Sequence, residues 1–286
     1  MNLLDNHRAS QIEKLADATL AAFDIKSAPV DVLELARQEE IEVGALPRGG
    51  YSEEFSGRIE YHLEVERFLL FHPEIETADF PSRVRFSIAH ELGHYYIPEH
   101  RQRLMQGKSH DSKAGFICDD DLEREADHFA SVLLMPTFAL RAKLSRRGFL
   151  TLQETLDLAG EWKTSATSAV LRYVKFASEP CAALVSRAGK VLYYVPSEEA
   201  GEMGFKYLGK REIPPGTPTA KAGARAGSKN IEGANTSTNR WFSARRADAN
   251  VWEEAFPLGY TNLVVTLFAF EKESNGQMGF KRFGKP

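Results

Sequence analysis

Between Pro81 and Pro98 the chain carries one uninterrupted helical segment with almost no polar side. Proline suits a first helical turn and cannot continue an interior, so the two prolines bound the helix. Phe86, Ala89, Gly93 and Ile97 run along one side, and Ile88, Leu92 and Tyr95 cover the other. A helix apolar nearly all round has to be buried, so the rest of the chain must fold around this one. Inside it stands His90-Glu91-Leu92-Gly93-His94. Positions i and i+4 lie about 40° apart on a helix. His90 and His94 therefore point the same way and can close on a single ion. Glu91 sits about 100° round from His90 and can reach a water on that ion without displacing it. Gly93 costs about 1 kcal/mol of helix stability relative to Ala. It reads as room for another backbone or for the metal site.

Two histidines supply two ligands, and a zinc site that works on substrates needs a third plus an open position. The segment Leu122-Glu-Arg-Glu-Ala-Asp-His-Phe-Ala-Ser-Val-Leu-Leu-Met-Pro136 offers it. Glu123, Ala126, Asp127 and Ala130 share one helical face, and the alanines allow close approach of a second helix. Glu123 is the expected third ligand. Asp127, one turn on, can accept a hydrogen bond from the far nitrogen of a ligand histidine and fix its tautomer. Glu125 points about 200° away from Glu123. Glu125, His128 and Cys118 are the weaker ligand candidates. The plain alternative is a helix pair with surface carboxylates and two structural histidines.

Before the two motifs, helices are expected over about 10–24 and from Asp31 through Ala36, a strand over Ile41–Leu46, and a hairpin-like pair over Gly57–Tyr61 and Phe68–Phe71. Residues 98–118 read as a polar loop, and Asp119 to Asp121 suit the start of the next helix. Helices follow over 137–147, 151–159 and 165–176. After Pro180 the texture turns to strands, at 182–186, 191–195 and 262–270, with 214–239 read as a long loop. The expected fold class is α+β: a mostly helical peptidase-type domain with a small sheet over 1–147, a helix-turn-helix-like segment over 148–178, and a β-rich C-terminal domain over 179–286.

At this point the residues resemble a known family. Arg85-Phe-Ser-Ile-Ala-His-Glu-Leu-Gly-His94, followed by Glu123-Arg-Glu-Ala-Asp-His-Phe-Ala-Ser-Val-Leu-Leu-Met-Pro136, is similar to the ImmA/IrrE zinc metallopeptidases, and the Glu-x-x-x-Asp pattern to the second zinc helix of gluzincins. The resemblance covers about 29–147 and extends more weakly to 176. It implies one Zn2+ per chain on His90, His94 and Glu123, with Glu91 as catalytic carboxylate. It also implies a protein substrate, a helix-turn-helix repressor whose cleavage releases stress, DNA-damage or mobile-element genes. The order of parts is similar to the radiation-response members, in which a GAF-like sensor domain comes last.

Charge and composition bear on partners. The first 135 residues hold 26 Asp and Glu against 14 Lys and Arg, an acidic surface suited to a basic partner or simply to solubility, within a chain of net charge −4. Two cysteines are too few for a disulfide framework. With no secretory pattern at the start and no apolar run near the ~18 residues a bilayer requires, a cytoplasmic location and no membrane partner are expected.

Two other readings compete. One is a non-enzymatic regulator with a structural metal, in which 136–178 binds DNA through a helix capped at Thr164-Ser165 and carrying Arg172 and Lys175. The other is a switch in which C-terminal aromatics, among them Tyr194, Tyr207 and Trp241, line a pocket for a small-molecule effector. Tyr95, Tyr96, Tyr61 and His62 are the candidate oxyanion donors. The Phe68–Phe71 strand is the expected edge for an extended substrate.

Overall fold

The computed structural model describes residues 4–270 except 48, 53–54, 77, 79, 108–109, 114–120, 148, 210–211, 226, 244–249 and 260–261. The described chain is α+β and divides into two compact units, Met1–Ala139 with Glu161–Ser165, and Leu140–Gly160 with Ala166–Pro286.

The first unit opens with α1 (Asn6–Ala22), started by Asp5, whose carboxylate accepts from the backbone of His7 and Arg8. Asp31 caps α2 (Val32–Gln38) in the same way. Three strands follow, β1 (Glu42–Leu46), β2 (Phe55–His62) and β3 (Arg67–Pro73). Next come α3 (Pro81–Tyr96), α4 (Pro98–Met105), β4 (His110–Lys113) and α5 (Asp121–Leu134). The sheet order is β1-β3-β2-β4, with β1 parallel to β3 and the other pairs antiparallel.

Helix α3 is central, as its composition demands. Its buried run is unbroken from Ser87 to Tyr95. Ile88, Ala89 and Leu92 join Ile12, Leu20, Leu35, Ile59, Leu70, Phe129 and Leu133 in one core drawn from both helices and sheet. Arg85 ties the start of α3 to the carbonyls of Val30 and Lys163. Gly93 stands where α5 crosses: a Cβ there would lie 3.1 Å from Ala126 Cα and from its carbonyl oxygen. The space is for a backbone, and the small face of α5 supplies it.

Two expectations fail in this unit. Residues 98–118 are not simply a loop, because Pro98 ends α3 and starts α4, as proline at a first helical position can. The Phe68–Phe71 strand is not an edge, because β3 is paired on both sides, by β1 and β2. An extended peptide has no free backbone there to pair with. Cys118, Asp119 and Asp120 lie outside the described residues.

The second unit takes in most of α6 (Thr137–Arg147), then α7 (Leu152–Glu161) and α8 (Ala166–Phe176). It continues with β5 (Cys181–Arg187), β6 (Lys190–Pro196), α9 (Glu198–Glu202), β7 (Lys206–Tyr207), α10 (Pro218–Ala224), β8 (Glu232–Ser237), β9 (Phe242–Ser243), β10 (Asn250–Pro257) and β11 (Leu263–Phe270). Five strands form an antiparallel sheet in the order β6-β5-β11-β10-β8. Central β11 is buried at every position, so both faces of the sheet are covered. Residues 214–239 are not one long loop. Thr217 caps α10 with Pro218 at its first position, and Glu232–Ser237 pair with β10. Alanine, glycine and threonine hid both elements, because small residues carry little periodic signal.

Helix α8 is set into this unit. Arg172 is 3% exposed and stacks on the Phe176 ring at 4.6 Å. Burial of Arg172 takes that side chain out of reach of a DNA groove, whereas Lys175, the other cation of the DNA reading, is exposed.

Candidate metal centre

The two helices that cross at Gly93 bring three side chains to one point. His90 Nε2 and His94 Nε2 are 3.1 Å apart. Glu123 Oε2 lies 3.4 Å from His90 Nε2, and its Oε1 lies 3.2 Å from His94 Nε2. Both histidines are buried, and these three residues form a group able to hold a metal ion. Zinc with bonds of about 2.0–2.1 Å and tetrahedral angles separates its ligand atoms by about 3.3–3.4 Å. The observed separations match that edge length.

The behaviour of the protons agrees. His90 Nδ1 is 2.8 Å from Asp127 Oδ1. An ionised carboxylate only accepts, so Nδ1 carries a proton and Nε2 turns to a carboxylate and a second imidazole. A cation there, a proton or a metal ion, reconciles that arrangement. Burial alone would push His90 down, but the Asp127 and Glu123 carboxylates outweigh it and hold His90 well above the usual imidazole range. The field that favours a proton there equally favours a metal cation.

Glu91 is fully buried beside the pair. It fits because Gly57 of β2 lacks a side chain: a Cβ there would come 3.1 Å from Glu91 Oε1. Gly57 was legible in principle, since a glycine inside a strand often marks a close approach.

His94 has a second neighbour. Its Nδ1 is 3.1 Å from Nδ1 of His100, a buried residue of α4. His100 Nε2 meets Glu125 Oε2 at 3.1 Å, and Arg8 of α1 meets the same oxygen at 2.5 Å. Burial lowers the His100 pKa, against the raising effect of Glu125. Glu125, a weaker ligand candidate by sequence, therefore serves His100 and Arg8. His128 faces Glu13 at 3.7 Å.

Three of the four candidate oxyanion donors, Tyr95, Tyr96 and His62, hydrogen-bond to other groups, and the fourth, Tyr61, makes a ring contact. Tyr95 and Tyr96 both donate to Glu39, at 2.7 and 3.1 Å. Burial, then Glu39, pushes the Tyr95 hydroxyl up to about 12. Tyr61 packs against Phe68 with ring centroids 4.9 Å apart, and exposed His62 pairs with Glu60.

Residues 75–173 match the family model described as the IrrE N-terminal-like domain, a peptidase family, so the chain carries such a domain. No curated protein matches the sequence. Among solved structures the chain is similar to a Mycobacterium tuberculosis transcriptional regulator, at 13% identity and a TM-score of 0.59, over 91% of this chain and 76% of that one. At that identity the likeness concerns the fold. Among the described residues, no helix is long and apolar enough to cross a membrane.

Proposed function

We propose that this peptidase-type regulator is a zinc endopeptidase in which His90, His94 and Glu123 hold one Zn2+, Glu91 is the general base, and Asp127 orients His90. The observation that carries the reading is the convergence of His90 Nε2 and His94 Nε2, 3.1 Å apart, on the Glu123 carboxylate, one oxygen of which lies 3.4 Å from the first and the other 3.2 Å from the second. A zinc ion there would lower the pKa of a water and polarise the scissile carbonyl. Glu91 takes the proton from the attacking water and passes it to the leaving amine. Asp127 keeps the His90 proton on Nδ1 throughout. Burial of Glu91 and both histidines excludes bulk water and strengthens each of these interactions.

The substrate is a protein bound in extended form. With β3 enclosed, the outer edge of β4 is the better platform, since β4 pairs with β2 and β2 carries Gly57 against Glu91. The substrate class is a helix-turn-helix repressor. The acidic first 135 residues suit such a basic DNA-binding partner. The transcriptional regulator among the solved structures and the IrrE-type domain are consistent with that role. The aromatics read as an effector pocket, among them Tyr194, Tyr207 and Trp241, pack instead into the core of the second unit, with Trp241 fully buried.

Glu91→Gln decides the catalytic part. Proton transfer by a positioned side chain is worth roughly 10²–10⁴-fold. The variant should keep one zinc per chain and an unchanged Tm, and lose repressor cleavage by that factor. Cleavage at the wild-type rate would remove Glu91 from the mechanism.

A further inference from the structure

His90 and His94 are the same residue type in the same helix, yet they are supported from behind by different means. His90 has a carboxylate, Asp127, on its Nδ1. His94 has another imidazole there, His100, and the carboxylate Glu125 stands one ring further out. Arg8 closes the chain on Glu125 and also reaches exposed Glu99 at 3.3 Å. Four helices, α1, α3, α4 and α5, each contribute one link.

Hydrogen-bond parity gives this chain a direction. Arg8 only donates, so Glu125 beside it is the acceptor. His100 Nε2 must then donate to Glu125. A neutral ring with its hydrogen on Nε2 presents a lone pair at Nδ1. His94 Nδ1 must therefore donate to it. That leaves His94 Nε2 bare, facing His90 Nε2 at 3.1 Å and Glu123 at 3.2 Å. With the opposite parity, His94 would direct an N–H into the point where the ligand atoms converge.

We propose that His100, oriented by Glu125 and Arg8, is the positioning residue for His94, fixing both the ring plane and the tautomer in which Nε2 faces the metal. The proposal rests on the reading of His90, His94 and Glu123 as a metal site. A neutral ring does here what a carboxylate does for His90, and it keeps a second negative charge from direct contact with the ligand. Arg8 balances the charge of Glu125 one step away. Groups supporting a ligand histidine typically change metal affinity by roughly 10–100-fold when removed.

The test uses the full chain, with zinc affinity measured by chelator competition and the visible spectrum recorded after cobalt(II) substitution. His100→Ala should bind zinc roughly 10–100-fold more weakly and shift the cobalt bands. His100→Gln should recover much of both, because its amide oxygen can accept from His94 and its amide nitrogen can donate to Glu125. Glu125→Gln should give an intermediate loss, and Glu99→Gln should match wild type. If His100→Ala does not fold, the Gln pair carries the same comparison. Wild-type affinity and an unshifted spectrum in folded His100→Ala would overturn the positioning role. A wild-type chain that binds neither zinc nor cobalt would instead overturn the metal-site reading beneath it.

Discussion

Each unit buries a polar cluster, and the two clusters are wired in opposite senses. In the second unit Glu253 is fully buried, and donors surround it: Thr219 gives its backbone N–H at 2.9 Å and its hydroxyl at 2.7 Å, and Trp241 Nε1 gives a third bond at 2.9 Å. Since the Thr219 hydroxyl donates to Glu253, the Thr266 hydroxyl donates to Thr219. Every proton there has an acceptor. In the first unit the acceptors meet one another, two imidazole nitrogens and a carboxylate within 3.4 Å. Both places set a carboxylate inside the protein. A structural carboxylate and one suited to a metal ion differ in whether donors or acceptors converge on them.

Exchanging losses between the clusters tests that contrast. Glu123→Ala should abolish stoichiometric zinc binding and, with it, cleavage, while leaving the zinc-free protein folded; metal analysis after gel filtration checks it. Glu253→Ala should do the reverse. It orphans three buried donors on Thr219 and Trp241, at about 1–3 kcal/mol for an unsatisfied group, so a loss of about 3 kcal/mol or more by urea unfolding of the second unit is expected, with zinc content unchanged. A zinc deficit in Glu253→Ala, or an unfolded Glu123→Ala, would erase the distinction. The smallest effect is one of pH. Because Asp127 and Glu123 hold His90 above the usual imidazole range, protons compete with a metal for it at higher pH than they would for an ordinary histidine. Zinc should be fully retained on the alkaline side and lost progressively as pH falls, beginning at a higher pH than for a site of ordinary histidines, seen as release at fixed chelator concentration. Retention that does not change down to strongly acidic pH would contradict the sign.

The first of these clusters was largely legible in the sequence and the second was not. His90, Glu91 and His94 are fixed by helical spacing, and Glu123, Asp127 and the alanine face by a second helical period. Gly93 left two readings open, room for another backbone or for the metal site, and the close approach of Ala126 is the first of them. His100 was invisible, because it lies on another helix beyond Pro98 and no periodicity links the two. The enclosure of β3 was missed for a related reason, since β1 pairs with it in parallel from twenty-odd residues upstream and local pattern does not report such partners. Glu253 and Thr219 come together only through β10 and the start of α10, an element whose small residues carry no signature of burial.

The contact between Gly93 and the main chain of Ala126 has one more implication. Main chain against main chain is a hard stop, so the gap between the imidazole turn and the carboxylate turn behaves as a fixed calliper. Ions that demand longer bonds and more oxygens, such as calcium at about 2.3–2.6 Å, would need that gap to widen, whereas a zinc-sized ion would not. Under the proposed metal reading, the helix crossing would add a restriction on ion size to the preference of two imidazole nitrogens for zinc over calcium, and enlarging residue 93 by one methyl group should blunt it.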